Sequence, residues 1–361
     1  MTTLGSLTGD LVALTQALCD LPSVSGAETA LADAVETALR DYSHLEVTRD
    51  GDTVVARTAL GRAERVVVAG HLDTVPVAGN LPTRVVGEGT AAAIWGRGTV
   101  DMKAGVAVQL ALAAALTAPS RDVTWIFYDH EEVDASLSGL GRLVRNHPDW
   151  LAADFAVLCE PTDGGIEGGC NGTLRAEVRI VGKAAHSARA WRGVNAIHGA
   201  APILATLGAY HPAEVAVDGL VYREGMNAVG IRGGIAGNVI PDECVVTVNY
   251  RFAPSRQLDE AERAVRELFA GFEVTVTDGA AGARPGLDHP TAQQFVAAVA
   301  AATGREPAPK YGWTDVARFS ALGIPAVNFG PGDPALAHAD DESCPVSQIH
   351  ACYHALHAWL S

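Results

Sequence analysis

Strand-like and helix-like segments alternate along the first 160 residues of this chain, and this alternation restricts the fold more than any other feature. Apolar runs at 65–70, 123–128 and 155–159 are bounded by turn residues and predict buried strands. Amphipathic or apolar patterns predict one helix at 27–40, before the first run, and another at 103–117, between the first and second runs. We therefore predict an α/β fold, in which helices cover both faces of a sheet.

The middle of the chain has a different pattern. Residues 175–180 and 244–250 alternate polar and apolar side chains, which is typical of an antiparallel sheet with one face in water. Helical patterns at 193–208 and 258–270 would cover the other face. Glycine-rich stretches at both ends of this region provide hinges. We predict an α+β insert at 174–284 within a discontinuous main domain formed by residues 1–173 and 285–361.

The charge and the cysteine content exclude several classes of protein. The 361 residues are too many for one ordinary core, and 42 acidic against 26 basic residues give a formal charge of −16. Such a surface repels polyanions, so we predict no nucleic-acid partner. The longest apolar stretch, Val106 to Leu116, is too short to span a membrane, and the N terminus has no visible secretory signal. Six cysteines without CxxC spacing are typical of reduced thiols and predict a cytoplasmic protein.

Five segments lead into side chains that can bind a metal ion. Four of these segments follow a predicted strand, the last of which is at 324–329, and the fifth follows the glycine-rich turn 96–100. The metal-capable residues are His71, Asp101, the pair Glu131-Glu132, Glu160 and His338. In an open α/β sheet, ligands bind beyond the carboxyl ends of the strands, so side chains distant in sequence converge there. Each residue alone has an ordinary explanation, as a structural histidine, a helix cap or a solvated glutamate. The five segments together favour a shared metal centre.

Two histidines and three carboxylates, without a thiolate, suit a pair of Zn²⁺ ions, for which Co²⁺ would be an acceptable substitute. Asp101 has two oxygens on a short side chain and can bridge both ions. Asp73 is too close to His71 in sequence to share its metal easily, but it can accept the other imidazole N–H and fix the tautomer. Of the adjacent Glu131 and Glu132, one can bind metal while the other accepts a proton from water, whose pKa the metals lower towards about 7.

At these residues the sequence resembles the co-catalytic zinc aminoacylase and carboxypeptidase family. The motifs that carry the resemblance are GHLDTVP at 70–76, GRGTVDMKAG at 96–105, DHEEVD at 129–134, CEPT at 159–162 and GDPALAHADDE at 332–342. The resemblance spans essentially the whole chain. It implies a zinc-peptidase-like α/β/α catalytic domain, with residues 174–284 as an inserted lid and dimerisation domain, and therefore a homodimer.

The resemblance also implies a role for each residue of the predicted centre. The implied ligands are His71 and Glu160 for one zinc ion, Glu132 and His338 for the other, and Asp101 as the bridge. Glu131 would be the general base, and Asp73 would support His71. A cis peptide bond is implied directly after Asp101.

Four further residues match positions that act on the substrate in this family. His186, in GKAAHS at 182–187, would reach the active site of the partner subunit and stabilise the oxyanion. Asn238 and Arg251 match lid positions, and the guanidinium of Arg251 would bind a substrate carboxylate. Thr314 matches a loop on the substrate side. The ordinary alternatives are a loop histidine without a role, an arginine paired with a surface glutamate, and a helix cap at Thr314.

The reaction implied by the resemblance is hydrolysis of a small-molecule N-acyl amino acid. Within the family, the resemblance favours removal of succinate from N-succinyl-L,L-diaminopimelate. Acetylornithine, another acyl amino acid or a dipeptide are alternative substrates for the same chemistry. An inactive binding protein would be expected to lack Glu131 or a ligand, and every position is filled. A two-metal nuclease is disfavoured by the charge of −16.

Overall fold

The computed structural model describes residues 3–361. The chain divides into two compact units. The first unit contains the residues up to Gly168 together with Pro285–Ala308 and Arg318–Ser361, and the second contains Gly169–Arg284 and Pro309–Ala317. The second unit thus includes the predicted insert at 174–284 and a short later segment that the sequence pattern did not reveal. The role of this unit as lid and dimerisation domain stays a prediction.

Helices and strands are distributed through both units. The α-helices are α1 (Leu4–Leu7), α2 (Leu11–Cys19), α3 (Thr29–Arg40), α4 (Lys103–Ala115), α5 (Gly139–Asn146), α6 (Ala201–Gly208), α7 (Leu258–Leu268), α8 (Pro290–Thr303), α9 (Val316–Ala321) and α10 (Val346–Leu360). The strands are β1 (Glu46–Asp50), β2 (Thr53–Arg57), β3 (Arg65–His71), β4 (Arg84–Val86), β5 (Ala93–Trp95), β6 (Asp122–Tyr128), β7 (Phe155–Leu158), β8 (Glu167–Gly168), β9 (Gly172–Val181), β10 (Ala185–His186), β11 (Glu214–Val217), β12 (Leu220–Arg223), β13 (Gly225–Gly233), β14 (Val239–Ile240), β15 (Glu243–Phe252), β16 (Glu273–Ala280), β17 (Ala308–Pro309), β18 (Ala326–Asn328) and β19 (Ser343–Pro345). None of the helices in residues 3–361 combines the length and the apolarity that crossing a lipid bilayer requires.

The central strands of the main sheet of the first unit are buried at every residue except Arg65, the first residue of β3. The strand order is β1-β2-β6-β3-β7-β18-β8-β17. Strand β3 runs parallel to β6 on one side and to β7 on the other, and every residue of β6 and β7 is buried. Such strands read as continuous apolar runs in the sequence because both of their faces are covered. The α/β fold predicted from these runs is confirmed.

Helix α4 is buried almost all round and leads directly away from Asp101. It packs against β3, α2 and α10, and every residue from Lys103 to Ala113 is buried. Lys103 is the one charged residue in this stretch, and its amino group donates hydrogen bonds to the backbone oxygens of Leu18 (3.1 Å) and Leu21 (2.9 Å). Burial lowers the pKa of Lys103 to about 8.

The second unit contains an antiparallel sheet with one covered face. Its strand order is β13-β15-β9-β16, and the residues of β9 alternate between buried and more accessible positions. Helices α6 and α7 contribute Ile203, Ala261 and Val265 to the core of this unit. The edge strand β13 is exposed from its third residue onward. The alternation of polar and apolar residues in the sequence therefore corresponds to a sheet with one face towards water.

The helix predicted at 193–208 is wrong in its first half. Only α6, from Ala201, is α-helical there, and it follows a 3-10 turn. The side-chain oxygen of Asn195 accepts hydrogen bonds from the backbone N–H groups of Ile197 (2.9 Å) and His198 (3.2 Å). Asparagine offers the backbone this local alternative to the helical hydrogen bond, so the α-helix begins later than the apolar pattern does.

All six cysteines are buried free thiols. Burial raises the pKa of Cys19 to about 12 and that of Cys170 to about 11. Burial also raises the pKa of the other four thiols, which are those of Cys159, Cys244, Cys344 and Cys352. The thiols are therefore protonated and shielded at neutral pH.

Candidate metal centre

The carboxyl ends of three neighbouring strands meet at one edge of the main sheet. His71 is the last residue of β3 and lies opposite Tyr128, the last residue of β6. Two residues before His71, Ala69 lies opposite Leu158, the last residue of β7. Because parallel strands present their carboxyl ends on the same side, the residues that follow them come together. The predicted site residues just beyond β6 and β7 are Glu131, Glu132 and Glu160.

Three overlapping groups of metal-capable atoms lie at this edge, and in each group the atoms are within 4.8 Å of one another. The groups are His71, Asp101 and Glu160; Asp101, Glu132 and His338; and His71, Glu131 and Glu132. Oδ1 of Asp101 lies 3.1 Å from Nε2 of His71, and Oδ2 lies 3.4 Å from Nε2 of His338. Each oxygen of Asp101 therefore faces a different imidazole. The structure brings together all five residues predicted as ligands, whose role in binding metal stays a prediction.

The charges of this cluster fit a pair of divalent cations. Hydrogen bonds with Asp101 and Glu132 raise the pKa of His338 to about 10. Burial opposes the charged form of His71, but contacts with Asp101 and Asp73 outweigh it and hold the pKa of His71 well above its usual value. Burial likewise opposes ionisation of Asp101, and the two imidazoles nevertheless hold its pKa below the usual range. The site thus favours positive charge, and it offers the nitrogen and oxygen donors of a mixed metal site.

Asp73 holds the backbone that carries the two glutamates. Its carboxylate oxygens accept hydrogen bonds from the backbone N–H groups of Glu131 and Glu132, both at 3.0 Å, and from the hydroxyl of Ser25 at 2.7 Å. Burial opposes the ionisation of Asp73, but the contact with His71 and the hydrogen bonds from Glu131 and Ser25 lower its pKa to about 2. Nδ1 of His71 lies 3.0 Å from the backbone oxygen of Asp73 and 3.5 Å from its carboxylate. Asp73 thus links one imidazole to both glutamates.

The loop before α4 presents Asp101. Its glycines Gly96 and Gly98 have positive φ angles of 144° and 82°, and a Cβ at Gly98 would lie 2.9 Å from Cγ2 of Thr74. Glycine is therefore needed at Gly98 both for its backbone conformation and for the space. The Asp101–Met102 peptide bond is cis, as the family resemblance implied. The backbone of this loop is bound by the buried carboxylate of Glu342, the last residue of the motif at 332–342, to which the sequence analysis assigned no role.

A second polar network holds the turn that precedes the two glutamates. Asp129 is buried and accepts hydrogen bonds from the Thr53 hydroxyl (2.6 Å) and the Arg142 guanidinium (2.7 Å). The next residue, His130, has a positive φ of 57°, and its backbone N–H donates to the buried carboxylate of Glu28 at 3.2 Å. Asp129 and His130 lie in the motif at 129–134, but sequence reasoning assigned no role to any residue of this network, because hydrogen bonds between distant segments leave no periodic pattern.

Two of the residues predicted to act on the substrate are neighbours in the second unit. His186 is exposed at the end of β10, and its Nδ1 accepts a hydrogen bond from the backbone N–H of Ala188 at 3.1 Å. The backbone oxygen of Asn238 accepts a hydrogen bond from the N–H of Ser187 at 2.9 Å. Because Nδ1 is an acceptor, the neutral imidazole of His186 carries its proton on Nε2 and can donate it.

The other two predicted substrate residues lie elsewhere in the same unit. Arg251 is on β15, and its Nε donates a hydrogen bond to the side-chain oxygen of Asn249 at 3.2 Å. Burial, with the nearby charge of Arg175, lowers the pKa of Arg251. Thr314 is buried, and its backbone oxygen lies 3.7 Å from Sγ of Cys170. The role of each of these residues in binding substrate stays a prediction.

Comparison with known proteins identifies the family to which this chain belongs. The profile of peptidase family M20/M25/M40 matches residues 67–361, so the chain belongs to this family. Members of the family are metal-dependent, and the chain is an enzyme of the metallo-amidohydrolase type. The family membership predicted from the motifs is confirmed.

Two curated relatives match almost the full length of the chain. Succinyl-diaminopimelate desuccinylase of Corynebacterium glutamicum is 50% identical over 366 residues, covering 98% of this chain and 97% of the relative. A Mycobacterium tuberculosis protein, assigned provisionally as the succinyl-diaminopimelate desuccinylase DapE, is 52% identical over 357 residues, covering 98% and 99%. Among solved structures, an M20 family metallo-carboxypeptidase from Sulfolobus solfataricus has a TM-score of 0.77 at 16% identity, covering 97% and 98% of the two chains. This last likeness shows the fold.

Proposed function

We propose that this enzyme hydrolyses the succinyl amide of N-succinyl-L,L-diaminopimelate and releases succinate, in diaminopimelate and lysine biosynthesis. The observation that supports this substrate is 50% identity over nearly the whole chain to the desuccinylase of Corynebacterium glutamicum. The metal-capable groups around Asp101 support the hydrolytic chemistry. The six free thiols support a cytoplasmic location.

Two Zn²⁺ ions form the metal pair in this proposal, and Co²⁺ would be a substitute. The proposed ligands are His71 and Glu160 for one ion, Glu132 and His338 for the other, and Asp101 between them. When bound, such ions lower the pKa of water towards about 7 and polarise the amide carbonyl. The imidazole nitrogens and carboxylate oxygens of this cluster are donors that zinc uses in catalytic sites.

Glu131 is the general base in this proposal. Its carboxylate belongs to the same close group as His71 and Glu132, and its backbone N–H is held by Asp73 at 3.0 Å. The carboxylate takes a proton from the attacking water and later delivers it to the departing amine. A positioned general base contributes about 10²- to 10⁴-fold to the rate.

The second unit supplies the proposed contacts with the substrate. His186 would donate from Nε2 to the developing oxyanion in the active site of a partner subunit, in keeping with the acceptor role of its Nδ1. Arg251 would bind a substrate carboxylate through two parallel hydrogen bonds. Asn238 and Thr314 would contact the remainder of the bound molecule.

A homodimer formed through the second unit is part of the same proposal. Strand β13 is an edge strand, and Val229 and Ile231 on it are 60% and 53% exposed. An exposed edge strand with apolar side chains can pair with the same strand of a second copy. Ile231→Lys should therefore shift wild-type dimers towards monomers in sedimentation experiments, whereas Thr275→Lys on the other edge strand, β16, should not. A monomeric wild-type protein would contradict this part of the proposal.

A panel of substrates, assayed together with the zinc content of the enzyme, tests the proposed function. The wild-type enzyme is expected to contain two zinc equivalents and to have its highest kcat/KM for N-succinyl-L,L-diaminopimelate. A higher kcat/KM for acetylornithine or for a dipeptide would contradict the substrate. Full activity after the removal of all metal would contradict the metal centre.

A further inference from the structure

Glu342 is a buried carboxylate four residues beyond His338. Its side chain is 1% exposed, whereas the neighbouring Asp340 and Asp341 are exposed. Transferring a carboxylate from water into the protein interior is unfavourable unless hydrogen bonds compensate for it. The partners of Glu342 therefore indicate why an ionisable residue occupies this position.

Four hydrogen bonds from one short loop compensate for the burial of Glu342. Oε1 accepts from the backbone N–H groups of Val100 (2.8 Å) and Asp101 (3.1 Å). Oε2 accepts from the backbone N–H of Gly98 (3.0 Å) and from the guanidinium of Arg97 (3.0 Å). Hydrogen bonds to a carboxylate are stronger than those between neutral groups. One side chain thus fixes the loop 97–101 at several points.

The loop is made of turns and contains no helix or strand. It precedes the first residue of α4, Lys103, and it contains Gly98 with a positive φ of 82°. Three of its backbone N–H groups, those of Gly98, Val100 and Asp101, donate to Glu342. The N–H of Asp101 shares an acceptor oxygen with that of Val100, so the position of the Asp101 backbone depends on this carboxylate.

We propose that Glu342 is a positioning residue for the metal pair, and that it sets the affinity for metal by fixing Asp101 between the imidazoles of His71 and His338. This inference rests on the metal centre of the proposed function. Glu342 would affect metal binding only through other residues. It binds the backbone of Asp101, and the short segment 338–342 joins it to His338. Residues that orient metal ligands in this way typically change metal affinity or activity by about 10- to 100-fold when they are replaced.

The variant that tests this role is Glu342→Gln. Glutamine has nearly the same shape, but an NH₂ group replaces one of the two carboxylate oxygens. The NH₂ group cannot accept the hydrogen bonds that the replaced oxygen accepts in the wild-type protein. Zinc binding is measured without substrate, by equilibrium dialysis against a chelator of known affinity. We expect the affinity for at least one zinc ion to fall about 10- to 100-fold. Glu342→Asp keeps the charge on a shorter side chain and should have an intermediate affinity.

Asp122→Asn is the matched control in the same unit. Asp122 is a buried carboxylate that accepts backbone hydrogen bonds from Leu60 and Arg62, both at 2.8 Å, and one from the Thr58 hydroxyl at 2.9 Å. It begins β6, at the opposite end of that strand from the candidate metal centre. Its replacement should lower the stability of the protein while the affinity for zinc stays at the wild-type value.

The outcomes separate this inference from the proposed function. Wild-type affinity for both zinc ions in Glu342→Gln would overturn the role of Glu342, and so would an equal loss of affinity in Asp122→Asn. If Glu342→Gln does not fold, the affinity of Glu342→Asp decides, and a wild-type value there overturns the inference. A wild-type protein that binds two zinc ions but has no activity on N-succinyl-L,L-diaminopimelate would contradict the proposed substrate and leave the test of Glu342 intact.

Discussion

The largest sheets of the two units differ in how much of each strand is accessible. In the first unit, β6 and β7 are buried at every residue, and the candidate metal ligands Glu132 and Glu160 follow these two strands. In the second unit, β9 has a covered and a more accessible face, and β13 is largely exposed. The comparison teaches that the ligand candidates His71, Glu132 and Glu160, which must keep fixed mutual distances, lie at the ends of buried strands, whereas His186 and the strand proposed to meet a second copy are exposed.

The largest expected effect is a loss of kcat, and it tests whether a residue of the first unit carries out the proton transfer. Glu131→Gln should lower kcat by about 10²- to 10⁴-fold, because the amide cannot take the proton from water. Steady-state rates and zinc content are measured on the same sample. The zinc content should remain at the wild-type level, since Glu131 is not a proposed ligand. Equal loss of zinc and activity would mean that Glu131 binds metal instead.

A somewhat smaller effect is expected from the second unit. His186→Ala should lower kcat by about 10²- to 10³-fold with little change in KM, because an oxyanion donor acts mainly in the transition state. The control is His198→Ala, which removes another exposed histidine of this unit. A wild-type kcat in His186→Ala would contradict a catalytic contribution from the second unit, because all the groups that act in the reaction would then belong to the first unit.

Stability should depend on the sheet in which a side chain is removed. Phe127 on β6 is fully buried, and Phe127→Ala should lower the free energy of unfolding by about 3–5 kcal/mol. Thr275 on β16 is exposed, and Thr275→Ala should change it by no more than about 0.5 kcal/mol. Chemical denaturation of both variants measures the difference. Similar losses would show that the exposed strand packs against something in solution.

The smallest effect concerns pH. Burial opposes the ionisation of Asp122, but hydrogen bonds from Leu60, Arg62 and Thr58 outweigh it and lower its pKa in the folded protein. The ionised form therefore stabilises the fold above the unfolded-state pKa of about 4, and this stabilisation is lost as the pH falls through the lower folded-state pKa. Asp122→Asn should be less stable than wild type by about 1–3 kcal/mol at neutral pH. Denaturation curves should show this gap shrinking in acid, and a constant gap would contradict the assignment.

The sequence predicted those features that repeat along the chain or end a buried strand. His71 and Glu160 could be found because an apolar run of a parallel sheet leads directly to each of them. The N-terminal half of the helix predicted at 193–208 was wrong because one side chain, Asn195, outweighs the apolar pattern around it.

Residues that act on the backbone of another segment could not be found in this way. Glu342 binds a loop more than 200 residues earlier in the chain, and Ser25 reaches Asp73 from a separate turn. Such hydrogen bonds depend on how the chain closes in three dimensions, and no local spacing records them. For the same reason, the sequence pattern did not reveal that residues 309–317 belong to the second unit.

Because the six native thiols are buried, they should react only slowly with thiol-directed labels, and the wild-type chain is therefore a suitable background for site-specific labelling. A cysteine introduced at an exposed position, such as Thr275→Cys, would react with maleimide reagents much faster than the protonated thiols of the interior. A fluorophore or spin label can therefore be attached to either unit without first removing the natural cysteines.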